Sequence, residues 1–247
     1  MPVSSSSNFL RLVSAARLGA RREEFPVYIS CWSVKGGSGT TVVAATLALL
    51  LAADPPGGTT GSVLLADLAG DAPAVLGLPE PVGDGVLDWL SSDADVSALP
   101  YLELDGGGGL GVLPRGTGPV LRGRSDGDRV RLLAESWAVG GRCVVADLGL
   151  LAPRWHELAA GATTSLLVIR PCYLALRRAV DAPLRPSGVV LVDEPARTLG
   201  RRDVEEVLGV PVVATVDFDP VVARAVDAGL LAGRLPRHLA RSLRSAA

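Results

Sequence analysis

The segment 27–53 constrains the fold most, because an apolar strand, a glycine-rich loop and an apolar helix follow one another directly. Residues 27–34 read VYISCWSV, a run of β-branched and aromatic side chains that predicts a buried strand. The loop KGGSGT follows, and TVVAATLALLLAA then predicts a helix that ends at Asp54 and two prolines. Backbone N–H groups of such a loop, together with the helix N-terminus, can bind an anion. A tight turn without a ligand is the alternative.

Apolar strands alternate with helical segments along the rest of the chain. Further strands are predicted at 62–67, 110–113, 142–149, 165–170, 187–193 and 210–216. Strands that are apolar throughout and alternate with helices indicate a parallel sheet that is covered on both faces. We therefore predict an α/β fold with a doubly wound, mostly parallel sheet of about seven strands and a ligand crevice at their carboxyl ends. The four tryptophans are expected to pack in its core.

The charged residues are distributed unevenly. With a net charge of −2 over 247 residues, the chain is not a bulk nucleic-acid binder. Of the 24 basic residues 23 are arginine, and the single lysine, Lys35, lies in the glycine-rich loop. Lysine is a compact charge on a flexible stem, whereas arginine is a planar fork. Either this position requires lysine, or the chain has kept one there by chance.

The loop departs from the ordinary phosphate-binding pattern G-x-x-x-x-G-K-[ST] at two positions. Val34 stands at the first glycine, and Thr40 stands at the lysine. The deviant pattern K-G-G-x-G-K-[ST] matches better, and it is followed in order by LLADLAGDAPAVLGL, VLPRG, VVADLG, LLVIRP and VEEVLGVPVVATVDFDP. On these segments, over about 27–230, the chain resembles the ParA/MinD family of deviant Walker A ATPases. Within that family it is most similar to the CpaE/TadZ-like branch, which is linked to pilus assembly and polar localisation.

This resemblance implies a P-loop NTPase-like fold, ATP and Mg²⁺ as cofactors, and a homodimer that sandwiches the nucleotide. It makes Lys35 the signature lysine that reaches the phosphates of the partner subunit, and Asp67 the switch I aspartate that positions Mg²⁺ or the attacking water. Asp147 matches the Walker B aspartate near the metal, and Thr41 matches the hydroxyl that binds Mg²⁺. For both aspartates the alternative is that they cap the turn after their strand. The implied cofactor-binding residues are Lys35, Gly36, Gly37, Ser38, Gly39, Thr40 and Thr41.

The departures from the family pattern bear on activity. Thr40 replaces the lysine that grips the β- and γ-phosphates, and a charge-assisted hydrogen bond is worth about 1.5–3 kcal/mol. Its loss predicts nucleotide binding that is weaker by roughly 10–100-fold, and slower phosphoryl transfer. Ala69 stands where many relatives have a second switch I acid, and Asp193 stands about where relatives often have a base-reading asparagine.

We therefore expect a nucleotide-binding positional switch or assembly factor with weak or absent ATP hydrolysis. The first alternative is a nucleotide-independent scaffold, or pseudo-ATPase, that docks to a pilus, secretion or division machine. The second is an active ATPase in which another group replaces the missing lysine. A protein partner in one of those machines is expected besides the homodimer.

Three regions are predicted: an N-terminal arm (1–25), the nucleotide-binding domain (26–233) and a basic amphipathic tail (234–247). In the tail Leu235, Leu239 and Leu243 are four residues apart, as in the membrane anchors of MinD-like proteins. Packing against the domain is the alternative for these leucines. Surface arginines leave nonspecific DNA contact as a weaker possibility.

The location predicted from the sequence is cytoplasmic. No apolar run approaches the length of about 20 residues that spans a bilayer, the N-terminal residues do not form a signal peptide, and three scattered cysteines show no metal-binding spacing. Peripheral attachment to the inner face of the membrane is the alternative.

Overall fold

A computed structural model describes residues 27–55, 62–118, 126–195 and 197–247. The predicted N-terminal arm, 1–25, lies outside these residues. The strands are β1 (Tyr28–Ser33), β2 (Val63–Asp67), β3 (Leu104–Asp105), β4 (Leu110–Leu113), β5 (Val144–Leu150), β6 (Thr164–Ile169), β7 (Gly188–Asp193) and β8 (Val212–Asp217).

Helices connect these strands. The α-helices are α1 (Thr40–Ala53), α2 (Ala72–Leu76), α3 (Val86–Leu90), α4 (Asp126–Val139), α5 (His156–Gly161), α6 (Tyr173–Val180), α7 (Arg201–Leu208), α8 (Pro220–Asp227) and α9 (Arg237–Leu243). Two 3₁₀ turns, Val96–Leu102 and Pro153–Trp155, precede β3 and α5.

The strands form one sheet with the order β3-β4-β2-β5-β1-β6-β7-β8. Every neighbouring pair is parallel except β3 and β4, which are antiparallel. The predicted doubly wound, mostly parallel sheet is therefore confirmed. The strand that the prediction omits is β3, a two-residue edge strand beside β4.

Both faces of the sheet are covered. On one face Tyr28 and Trp32 of β1 pack with residues of α3 to α7, and all four tryptophans belong to this cluster. On the other face Ile29 and Cys31 of β1 pack with residues of α1, α2 and α9. Because successive residues of a strand point to opposite faces, one apolar strand supplies both cores. Core packing was the expectation for the tryptophans, and it is confirmed.

The C-terminal tail ends in α9, which contacts α1 and β8. Leu239 and Leu243 are completely buried there, and Leu235 is half-buried, whereas the arginines of this segment are exposed. The leucines thus pack against the domain, which is the alternative given above to a membrane anchor. No helix in the described ranges is long and apolar enough to cross a membrane.

Candidate functional site

The glycine-rich loop joins the carboxyl end of β1 to α1. Gly37 and Gly39 have φ angles of 74° and 87°, which side chains with a Cβ adopt only with strain. The Ser38 hydroxyl donates a hydrogen bond to the Lys35 carbonyl oxygen at 2.7 Å and closes the loop internally. The backbone conformation therefore depends on the loop's own glycines and serine.

The N-terminus of α1 faces this loop without a side-chain cap from any described residue. The first N–H groups of a helix have no partner within the helix, and the helix dipole places partial positive charge at them. Thr40, the first residue of α1, is 6% exposed, and Thr41 is half-buried. The loop and helix end together form a cradle that suits an anion.

An open cleft of ≈ 800 Å³ lies over this cradle. Its floor is formed by Gly36 to Val42, and its walls by the turns after β2, β4 and β5 together with the end of α8. The charged side chains that line it are Asp71, Arg115, Arg154 and Asp227.

Asp67 ends β2 and is completely buried. Its Oδ1 accepts hydrogen bonds from the N–H groups of Ala69 (3.0 Å) and Gly70 (2.6 Å), and its Oδ2 accepts one from the N–H of Ala72 (3.0 Å). Burial raises the pKa of Asp67, the Gly70 and Ala72 bonds oppose that rise, and the nearby Asp71 adds to it. Asp67 thus organises the turn into α2, as the capping alternative predicts; its role toward a metal or a water stays a prediction.

Asp147 lies directly beside Asp67, because β5 and β2 pair these two residues in register. Its Oδ1 accepts a hydrogen bond from the Gly149 N–H at 3.0 Å, while its Oδ2, fully buried, has no partner among the described residues. Burial raises the pKa of Asp147 to about 7; the Thr41 hydroxyl, which is near the carboxyl but not in hydrogen-bonding geometry with Oδ2, lowers it, and the charge of Asp67 raises it further.

The unpartnered Oδ2 of Asp147 indicates that the site suits a cation. A buried carboxylate oxygen without a hydrogen bond is costly, and a hard cation such as Mg²⁺ would satisfy it. The Thr41 hydroxyl, which is close enough to lower the pKa of Asp147, supplies a second oxygen. Within the described ranges no group of three or more His, Cys, Asp or Glu side chains converges on one point. The oxygens that are present, from one buried carboxylate and one hydroxyl, fit an ion that takes few protein ligands and completes its shell with phosphate and water, as Mg²⁺ does.

Lys35 lies toward β7 and is exposed. Its charge helps to keep the pKa of Glu194, just after β7, below the ordinary value, although the hydrogen bond from Arg197 is the larger cause. The structure thus brings Gly36 to Thr41 together with the edge that holds Asp67 and Asp147, whereas Lys35 is not among the residues that line the cleft.

Two cationic residues of the cleft were not singled out in the sequence. Arg115 follows β4 in the segment VLPRG, and Arg154 lies in the turn after β5. Arg115 is half-buried and Arg154 is exposed. The sequence signals for Arg115 are its place in VLPRG, one of the segments that carry the family resemblance, and its position just after a short strand, where a parallel sheet places ligand-binding residues.

Comparison with known proteins identifies the fold. No protein-family model matches the chain, and no curated protein is significantly similar to it. One similar solved structure is MinD from Pyrococcus horikoshii complexed with Mg-ADP, which is 21% identical over 89% of this chain and 93% of that chain, with a TM-score of 0.67. A ParA family ATPase from Chlorobium tepidum is 17% identical over 88% of this chain and 97% of that chain, with a TM-score of 0.66. The MinC:MinD complex from Aquifex aeolicus matches at 17% identity over 88% of this chain and 94% of that chain, with a TM-score of 0.63. The chain thus has the α/β fold of ParA and MinD ATPases.

Proposed function

We propose that this chain is a ParA/MinD-like protein that binds Mg-ATP in the cleft and acts as a positional switch or assembly factor. One observation carries the proposal: the glycine-rich loop, the uncapped N-terminus of α1 and the unpartnered Oδ2 of Asp147 belong to one edge of the sheet. An anion cradle beside an unsatisfied carboxylate suits a phosphate chain with its cation.

Each residue takes a role that follows from its position. Backbone N–H groups of Gly36 to Gly39 wrap the phosphates, and Thr40 donates one hydrogen bond from its hydroxyl. Thr41 and Asp147 hold Mg²⁺, which neutralises phosphate charge when it is bound. Asp67 holds the turn before α2 and, through it, orients the metal or a water.

The dimer and the partner follow from the resemblance. Lys35, exposed and outside the cleft, is free to reach the nucleotide of a second copy, and this supports the ATP-sandwiched homodimer. The Aquifex relative was solved with its partner MinC. By analogy we propose a CpaE/TadZ-like role with a protein partner in a pilus, secretion or division machine. The proposed location is cytoplasmic. Peripheral membrane attachment and nonspecific DNA contact are the lesser alternatives.

Calorimetry with ATP, with and without Mg²⁺, tests the binding step. We expect binding that requires Mg²⁺, is weaker than in relatives with lysine at position 40, and is accompanied by slow or no phosphate release. Light scattering should show a dimer with Mg-ATP that Lys35→Ala abolishes, while the exposed Arg202→Ala on α7 serves as the matched control. No binding at millimolar ATP would refute the proposal.

A nucleotide-independent scaffold is the second candidate. It is favoured by the absence of charge at Thr40 and by the use of both Asp67 oxygens in a turn. A scaffold should self-associate without ATP, and Lys35→Ala should leave that association unchanged. The two candidates therefore predict opposite results from the same variant.

A further inference from the structure

Arg115 lies where a charge could reach the phosphate cradle. It follows β4, which is parallel to β2, so it stands at the same edge of the sheet as Asp67. It lines the cleft that Gly39 and Thr40 also line. The sheet order therefore brings a guanidinium to the site where the loop itself has lost a lysine.

The turn that Asp67 holds positions the Arg115 side chain. A Cβ placed on Gly70 would lie 3.2 Å from the Arg115 Cδ and 3.8 Å from its Nη1. The arginine stem thus passes directly over Gly70, whose N–H donates to Asp67 at 2.6 Å. Contact between the stem and this anchored turn restricts where the guanidinium can go.

No described carboxylate lies within ion-pair distance of the Arg115 guanidinium. Two other half-buried arginines, Arg142 and Arg170, are each paired with a glutamate, at 2.8 and 3.0 Å. A guanidinium has five N–H donors in a fork that matches two phosphate oxygens. Arg115 therefore enters the cleft with donors available for an anion.

Arg154 is a weaker candidate for the same task. Its guanidinium stacks over the Trp155 ring, 4.9 Å from the centroid, and the side chain is exposed. Solvent screens an exposed charge more than a half-buried one.

We propose that Arg115 supplies, from the turn after β4, the positive charge toward the phosphates that Thr40 cannot supply from the loop. The inference rests on the proposed function, because it concerns the same cleft. It makes Arg115 a residue of that site that determines affinity for the phosphates.

The decisive variant is Arg115→Met, which keeps an unbranched stem over Gly70 and removes the charge. Arg115→Lys restores a charge, and Arg202→Met removes an exposed arginine elsewhere. Calorimetry with Mg-ATP should give a dissociation constant about 10–100-fold higher for Arg115→Met, as expected for one lost charge-assisted bond. Arg115→Lys should recover most of that loss, and Arg202→Met should bind like the parent chain. Equal affinity of Arg115→Met and the parent would overturn the inference and leave the proposed function standing.

A second-site substitution separates charge from structure. If Arg115 performs the task of a loop lysine, Thr40→Lys should restore Mg-ATP affinity in the Arg115→Met background, and the gain there should exceed its gain in the parent chain. Equal gains in both backgrounds would mean that the two positions act independently, and would overturn the inference.

Sodium tripolyphosphate serves as a probe without a nucleoside. Binding that is lost in Arg115→Met would uphold the inference even if ATP does not bind, in which case only the proposed function fails. If the parent chain binds neither ATP nor tripolyphosphate, both fail.

Discussion

Replacing Asp147 by asparagine should stabilise the protein in the absence of ligand, and more so at alkaline pH. The carboxyl is fully buried, its Oδ2 has no described partner, and its pKa rises from 3.8 to about 7. At 1.36 kcal/mol per pKa unit, the ionised side chain costs on the order of 4 kcal/mol at pH 8. An asparagine of the same shape can still accept the Gly149 N–H, its NH₂ can use the neighbouring Thr41 hydroxyl as an acceptor, and it has no charge to bury.

The sign of the pH dependence follows from proton linkage. Because the pKa of Asp147 is higher in the folded chain than in the unfolded chain, the folded chain holds a proton between about pH 4 and pH 7 that the unfolded chain has lost. The contribution to stability is complete below about pH 4 and is lost as the pH rises through about 7. The gain from Asp147→Asn should therefore be about 2 kcal/mol at pH 5, clearly smaller than its value at pH 8.

Urea unfolding at pH 5 and pH 8, with a chelator present, measures this difference. Asp67→Asn is the matched control, because both Asp67 oxygens accept backbone N–H groups and an amide would turn an NH₂ toward one of them. Leaving such a donor unsatisfied costs about 1–3 kcal/mol, so Asp67→Asn should gain correspondingly less at pH 8. A loss of stability for Asp147→Asn at pH 8, or an equal gain at both pH values, would refute the reasoning.

Three further predictions concern the tail, the core and the loop. Leu239→Ala should lower the free energy of unfolding, measured in urea, by about 2–5 kcal/mol, and Leu235→Ala should lower it less because Leu235 is only half-buried. Small and equal effects of the two substitutions would contradict packing of the tail. Tyr28→Phe should cost about 1–3 kcal/mol, because its hydroxyl donates to the buried Leu158 carbonyl oxygen at 2.7 Å; thermal unfolding checks this. Gly37→Ala should cost about 1–2 kcal/mol from its φ of 74° and weaken Mg-ATP binding in calorimetry; unchanged values of both would contradict the cradle.

The parallel sheet could be predicted because its strands are apolar over their whole length. VVLVD in β7 and VVADLGL in β5 contrast clearly with the helices between them. The edge strand Leu104–Asp105 could not be predicted, because two residues are too few to show a periodicity. The strand is defined only by its pairing with β4. The short helix Ala72–Leu76 was also not predicted, since its start depends on hydrogen bonds to Asp67 rather than on a pattern of its own.

Some residues of the candidate site could likewise be predicted from the sequence, and others could not. Asp67 and Asp147 were found because each follows an apolar run in its strand, and adjacency in the sheet then explains why the charge of Asp67 raises the pKa of Asp147. Arg115 was not found, because its closeness to the loop depends on the strand order β4-β2-β5-β1, which no local pattern encodes.

Lys35 and Thr40 show why that order matters for charge. The lysine stands outside the cleft, exposed, on the side of β7, and the threonine begins α1 buried and uncharged. The floor of the cleft therefore has only the partial charge of a helix end, about half an elementary charge, to offer a polyphosphate. Among the residues that the structure describes, full charges line it at its walls, where Asp71 and Asp227 oppose an anion and Arg115 and Arg154 favour it. Neutralising either acid should accordingly strengthen polyphosphate binding in the parent chain, in the direction opposite to Arg115→Met.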